Sequence, residues 1–238
     1  MKYFPEFAWH KITKYMALLK AVVIGATGLT GGHVVRHLLQ DGAFGEVVVL
    51  VRGSFAMAHP KLSVRMVDFN NTEDIRKMLG HGDVIFSCVG TTHKKVAGDM
   101  AAYRRIDYDI PVNAAILGKQ AGFGVFVLVS SVGANPQSAN FYLKLKGEVD
   151  EAVSSAGLAS VNIFRPSLLL GHRNEHRLGE GIMAPIAKGM AFLLAGKMRR
   201  YKPIESSQVA KAMVAAAKNA LPGNHVYEYD GIVDLIGA

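Results

Sequence analysis

One cysteine, Cys88, stands alone in 238 residues. No intrachain disulfide can form, which excludes a disulfide-stapled fold and fits a reducing compartment. Long apolar runs are missing too: none approaches the roughly 18 residues needed to cross a bilayer. Near the N-terminus Glu6, His10, Lys11 and Lys14 interrupt every apolar stretch, so the order of a secretory signal is absent. These absences predict a cytoplasmic protein with no integral membrane association. Internal repeats and low-complexity tracts are lacking, and the 25 glycines are scattered rather than periodic. Acids are scarce, 19 against 27 Lys and Arg, which leaves a net charge of +8. A basic surface can attract nucleic acid, anionic lipid or phosphorylated small molecules. Here the basic residues are dispersed. The short clusters at His93-Lys94-Lys95, Arg104-Arg105 and 197–202 lack the interleaved aromatics of a nucleic-acid platform, so no nucleic-acid partner is expected. The histidine-bearing stretches lack metal-ligand spacing with a supporting carboxylate, and no metal is expected.

What is present suits a well-filled core: half the residues are apolar and 19% are charged. The length fits one large α/β domain or two small ones, and no linker divides the chain, so residues 20–238 read as one domain. Residues 1–19 stand apart. Phe4, Phe7, Ala8, Ile12 and Tyr15 recur at helical spacing. Such a helix could dock on the domain, on a partner or on a membrane surface. Alternatively, translation starts at Met16 and the segment is a non-native extension.

From Lys20 onward strands and helices alternate. Lys20–Ile24, Val47–Val51, Leu62–Val67, Val84–Cys88, Val125–Ser130 and Ser160–Phe164 read as strands. The β-branched run at 47–51 suits a strand buried on both faces. Helices are expected with Val34, Val35, Leu38 and Leu39 on one side, then over Asp74–Leu79, Tyr103–Ala121 and Phe141–Ala156. The alternation implies right-handed crossovers and a parallel sheet, hence an α/β fold. After Pro166 the rhythm weakens, and the Gly- and Pro-rich stretch 167–205 suggests a substrate lid. Ser206–Ala220 returns to helix, with Ser206 or Ser207 as N-cap. Val226–Tyr229 is a candidate edge strand.

The strongest local signal is Gly25-Ala26-Thr27-Gly28-Leu29-Thr30-Gly31, directly after the first strand. Its G-x-x-G-x-x-G spacing gains meaning from lying between strand and helix. Gly25 permits the tight turn, Gly28 lets backbone approach a pyrophosphate, and Gly31 allows close helix packing. The helix N-terminus then offers unpaired N–H groups and partial positive charge to an anion. NAD sites usually carry an acid at the end of the second strand. Here that strand ends Leu50-Val51-Arg52-Gly53-Ser54. Arg52 stands where a guanidinium fork could meet a 2′-phosphate, and Ser54 could add a hydroxyl, which favours NADP(H) over NAD(H). Asp68 and Phe69, after the third strand, could line an adenine pocket. Cys88-Val89-Gly90-Thr91, after the fourth, would pass beneath a ribose. Cys88 itself reads as packed, not nucleophilic.

Tyr142 and Lys146 are four residues apart on the helix after strand five, so they share one face. By itself the pair is a weak signal. Ser130 and Ser131 end the preceding strand, which places all of these at the carboxyl end of the sheet. Hydride transfer to a carbonyl needs a proton donor for the developing alkoxide, and a free phenol titrates near pH 10. A neighbouring ammonium favours phenolate, so Lys146 would activate Tyr142 and hold ribose hydroxyls, while Ser131 would orient the carbonyl.

The stretches GATGLTGG, LVRGS, FSCVGTT, LVSSVGAN, FYLKLKGEVD and FRPSLLLGHR together resemble the atypical short-chain dehydrogenase/reductases. Within them the chain is most similar to the Tat-interacting-protein-like oxidoreductases and their bacterial relatives, from about Ala17 to about Ala220. The resemblance implies a Rossmann-like doubly wound sheet in the order 3-2-1-4-5-6, with NADP(H) across it. It implies Tyr142 and Lys146 as the Y-x-x-x-K pair and Ser131 as the associated serine. It also implies that Pro166 and Leu168, in Arg165-Pro166-Ser167-Leu168, touch the nicotinamide end, and that Gly90 and Thr91 match the loop after strand four. Residues 1–16 have no counterpart in that family.

Three functions compete. The first is an NADPH-dependent reductase of a small carbonyl compound. The second is a regulator whose lid binds a protein partner according to NADP(H) occupancy. The third is a nucleotide-sugar epimerase or dehydratase, disfavoured because only about 70 residues follow strand six. His172, Arg173, His176 and Arg177 in the lid could favour an anionic ligand or face solvent. A homo-oligomer is compatible with all three.

Overall fold

The computed structural model describes residues 18–171 and 196–237. The expected N-terminal helix, most of the lid, and His172, Arg173, His176 and Arg177 lie outside the described residues.

Nine strands are described. They are β1 (Leu19–Ile24), β2 (Phe44–Val51), β3 (Leu62–Met66), β4 (Val84–Ser87), β5 (Val125–Val129), β6 (Ser160–Phe164), β7 (Leu169–Leu170), β8 (Ile204–Glu205) and β9 (Gly223–Tyr227). Seven form one sheet in the order β3-β2-β1-β4-β5-β6-β9, and every pairing is parallel. The candidate edge strand is therefore real, although it begins at Gly223 and ends at Tyr227. The helices are α1 (Leu29–Gln40), α2 (Thr72–Leu79), α3 (Met100–Arg104), α4 (Ile110–Gln120), α5 (Phe141–Ser154), α6 (Ser206–Lys218) and α7 (Tyr229–Leu235). Among the described residues no helix is long and apolar enough to cross a membrane.

Side-chain alternation explains the layers. Along β1, Ala21 and Val23 face one cluster while Val22 and Ile24 face the other; β2 divides Val47, Val49 and Val51 from Val48 and Leu50 in the same way. The first face is covered by α1, α6 and α7, the second by α2, α4 and α5. Both faces are filled at the centre of the sheet, so β1, β2, β4 and β5 read as apolar runs, while the edge strands β3 and β9 are partly exposed. Val34, Val35, Leu38 and Leu39 all lie in the first cluster, as their spacing predicts.

Three expectations change. The single helix over Tyr103–Ala121 is broken: a π-helical segment, Arg105–Asp109, separates α3 from α4, with the Ile110 N–H bonded to the Arg105 carbonyl. Pro111 supplies the reason. It has no N–H to give the Asp107 carbonyl four residues back, and its ring crowds that carbonyl, so the turn widens. Second, α2 begins at Thr72, because the Asn71 side chain accepts the N–H groups of Glu73 and Asp74. Third, neither Ser206 nor Ser207 caps α6. Extended Glu205 occupies the N-cap without a side-chain bond, since β8 holds it in strand conformation up to the helix, and Ser206 is buried.

Candidate nucleotide site

All seven strands run the same way, so the residues following β1, β2, β3, β4, β5 and β6 gather along one edge. The strand order reverses between β1 and β4, the point at which open α/β sheets bind ligands. From the end of β2 to the end of β5 is three strand spacings, about 14 Å.

The centre of that edge is the turn 25–28. Gly25 has φ +82°, and a Cβ there would lie 2.6 Å from the Cys88 carbonyl carbon. The chain leaving β4 thus passes hard against the turn. A Cβ on Gly31 would lie 2.2 Å from the Gly25 carbonyl oxygen, so α1 can start there only with glycine. Gly28 is the N-cap of α1. It carries no side-chain cap, no acid stands in the first turn, and Thr27 and Gly28 are exposed. Leu29 is half-buried and Thr30 is buried. An open helix start whose N–H groups have no side-chain partner suits a phosphate.

Toward the β3 edge, Arg52, Met66, Val67, Asp68 and Asp74 line an open groove. Arg52 is exposed there, and Ser54, two residues on, is exposed as well. Both carboxylates in the groove are occupied by backbone: Asp74 accepts the Asp68 N–H at 2.7 Å, and Asp68 accepts the Asn70 N–H at 2.9 Å. Phe69 is half-buried on the second core cluster. Cys88 lies just past β4. Burial pushes its thiol up to about 12, so it stays protonated and unreactive.

Toward β5 the site is built from buried charge. Lys146 and Tyr142 do lie on one helix, with Lys146 buried and Tyr142 half-buried. The Lys146 ammonium sits 3.0 Å from Asp107 Oδ1. Burial opposes its charge, but Asp107 foremost, then Tyr142 and Tyr103, more than offset this and raise its pKa. Asp107 Oδ2 accepts the Thr91 N–H at 2.7 Å, and the Tyr103 hydroxyl donates to the Thr91 carbonyl at 3.3 Å. Val89 and Gly90, between Cys88 and Thr91, are half-buried. Further along α5, Asp150 accepts from Arg165 Nε at 2.9 Å. Burial raises the Asp150 carboxyl against the opposing pull of Ser130 and Arg165. Ser130 is buried, and Ser131 is half-buried, its hydroxyl 3.4 Å from the Val132 carbonyl. Buried Pro166 accepts the Val132 N–H through its carbonyl at 3.0 Å, tying the ends of β5 and β6 together, and Leu168 is exposed.

Sequence reasoning missed Asp107, Tyr103 and His93. The rings of His93, Tyr103 and Phe141 pack at 5.2 and 5.6 Å, joining the loop after β4 to α3 and α5. Pro111 was the available signal for Asp107, because a proline inside a helical pattern marks a disturbed turn. Arg104 is bound to Glu148 at 2.6 Å, so part of one basic cluster serves to join α3 to α5.

Comparison with known proteins places this geometry in context. The sequence profile of an NAD(P)H-binding family matches residues 25–220. "Protein FMP52, mitochondrial" of Candida albicans is 33% identical over 213 residues, covering 86% of this chain and 90% of its own. "Protein HTATIP2" of Rattus norvegicus is 33% identical over 161 residues, covering 66% of each chain. Among solved structures, the Bordetella bronchiseptica enzyme WbmH in complex with NAD+ superposes with a TM-score of 0.67 at 17% identity, covering 89% of this chain and 76% of that one. That likeness speaks for the fold alone.

Proposed function

The chain belongs to the NAD(P)H-binding family of atypical short-chain dehydrogenase/reductases, and from that premise we propose that it is a reductase that uses NADPH to reduce a small carbonyl compound. The observation that carries this reading is the meeting of an uncapped, glycine-built helix start with a buried, charged Lys146 on one sheet edge.

In this reading the N–H groups at 28–31 hold the diphosphate, and Gly25, Thr27, Gly28, Leu29, Thr30 and Gly31 shape that turn. Arg52 and Ser54 meet a 2′-phosphate, which favours NADP(H) over NAD(H). Asp68 and Phe69 border the adenine. Cys88, Val89, Gly90 and Thr91 underlie the ribose, and Pro166 and Leu168 border the nicotinamide. When bound, the reduced nicotinamide supplies a hydride. Lys146 holds ribose hydroxyls beside Tyr142, whose phenol gives its proton to the developing alkoxide. Ser131 orients the carbonyl by hydrogen bond. Residues 20–238 act as one NAD(P)-binding domain, with a substrate lid around 167–205 that starts and ends at the β7–β8 pair, and residues 1–19 as an extension.

Steady NADPH oxidation with a panel of small aldehydes and ketones, lost in Tyr142→Phe, supports the reductase. Tight NADPH binding without turnover, plus a protein captured only in the bound form, supports the regulatory reading instead. As to compartment, the single free thiol fits any reducing one. The cytoplasm expected from sequence competes with the mitochondrion in the FMP52 relative's name. Cell fractionation of the full chain decides between them.

A further inference from the structure

One buried carboxylate faces two different elements of the cleft at once. Asp107 is 1% exposed; its Oδ1 lies 3.0 Å from the Lys146 ammonium and its Oδ2 accepts the Thr91 N–H at 2.7 Å. It therefore ties a lysine of α5 to the loop after β4. It stands on the widened turn that Pro111 imposes, where a backbone carbonyl has lost its ordinary helical donor.

Resting on the cofactor reading above, we propose that Asp107 is a positioning residue: its carboxylate fixes the Lys146 ammonium against the Thr91 loop, so that the ribose end of the pocket is set before nucleotide arrives. A lysine on a flexible four-carbon stem otherwise samples many rotamers, and a buried ammonium without a counter-charge sheds its proton. The groups around Lys146 are Asp107 from the π segment, Tyr103 from α3, Tyr142 from its own helix, and Asp150 one turn further on, itself engaged by Arg165 after β6. Among the described residues Asp107 is the carboxylate in contact with it. Burial works against the charge, and Asp107 foremost, together with Tyr142 and Tyr103, more than offsets it, so removing the carboxylate makes Lys146 lose its proton at lower pH.

The test compares Asp107→Asn, which keeps the shape without the charge, with Asp107→Glu, which restores a carboxylate. The first readout needs no nucleotide: the Lys146 side-chain carbon signal, assigned with Lys146→Arg, followed by NMR from about pH 7 to about pH 10. The parent signal should stay flat, the Asn variant should titrate within that window, and the Glu variant should return toward the parent. The second readout is NADPH affinity by fluorescence. The Asn variant should bind about tenfold more weakly and weaken further as pH rises, while the parent stays constant over the same interval. A Lys146 signal that does not titrate in Asp107→Asn overturns the proposal whatever the nucleotide does. A parent that binds no NADPH while Lys146 titrates as expected supports the ion pair and overturns the cofactor reading. Should Asp107→Asn fail to fold, Asp107→Asn with Lys146→Met removes both charges and should recover folding; a double variant no better than the single one overturns the pairing.

Discussion

At residues 25–31 the cleft is made by leaving side chains out; at residues 91–165 it is made by burying charged ones. The turn after β1 depends on missing Cβ atoms at Gly25 and Gly31, each with backbone where a side chain would go. Its chemistry comes from N–H groups and a helix start. The far half depends on Asp107, Lys146, Asp150 and Arg165, held in two ion pairs whose carboxylates are buried. Such pairs contribute little net stability, since desolvation offsets attraction, but losing one partner costs about 3–5 kcal/mol. The first half thus fails sterically and the second electrostatically.

Tyr142→Phe should give the largest effect: NADPH oxidation falls by about 10²- to 10⁴-fold, measured in steady state. NADPH affinity should change little, because the ring remains. A variant with near-parental turnover would remove Tyr142 as proton donor. Next comes Gly31→Ala, whose methyl meets backbone that cannot rotate away. Its melting temperature should fall by several degrees, for a loss of about 3 kcal/mol. Gly53→Ala, with nothing within 4 Å of its added methyl, should melt like the parent. Equal melting of both variants would contradict the close approach of α1 to the turn.

Arg52→Ala should weaken NADPH binding about 10- to 100-fold while changing NADH by less than about threefold, read as paired fluorescence titrations. Equal losses would end its assignment to the 2′-phosphate. The smallest expected effect concerns Cys88. With its thiol pushed up to about 12, iodoacetamide at about pH 8 should leave it unmodified in the folded protein and label it in denaturant, followed by intact mass. Ready labelling of the folded chain would contradict its packing beneath the turn.

The two halves also differed in how far the sequence disclosed them. The centre of the sheet was legible because its strands are buried on both faces and therefore read as apolar runs, as at Val47–Val51, whereas the edge strands are partly exposed. The glycine turn was legible because its spacing is local and Gly31 acts on the Gly25 carbonyl within the same turn, whereas the contact of Gly25 with Cys88 and Val89 is distant and was not. The Tyr142–Lys146 spacing was visible for the same reason. Asp107 was not, because its meaning lies in a lysine on another helix, 39 positions along the chain by residue number, and nothing in the spacing joins them. Asp150 escaped likewise, its partner Arg165 following a different strand. Local steric rules can be read along a chain, whereas a buried ion pair exists only once packing brings its members together.

The most direct measurement is an NADPH titration of the purified chain, followed by the quench of its intrinsic fluorescence and repeated with Gly31→Ala. Saturable binding by the parent, much weakened in the variant, is the expected result. A parent that takes up neither NADPH nor NADH would show that this sheet edge does not grip a dinucleotide, and the roles given to Arg52, Tyr142 and Lys146 would go with it.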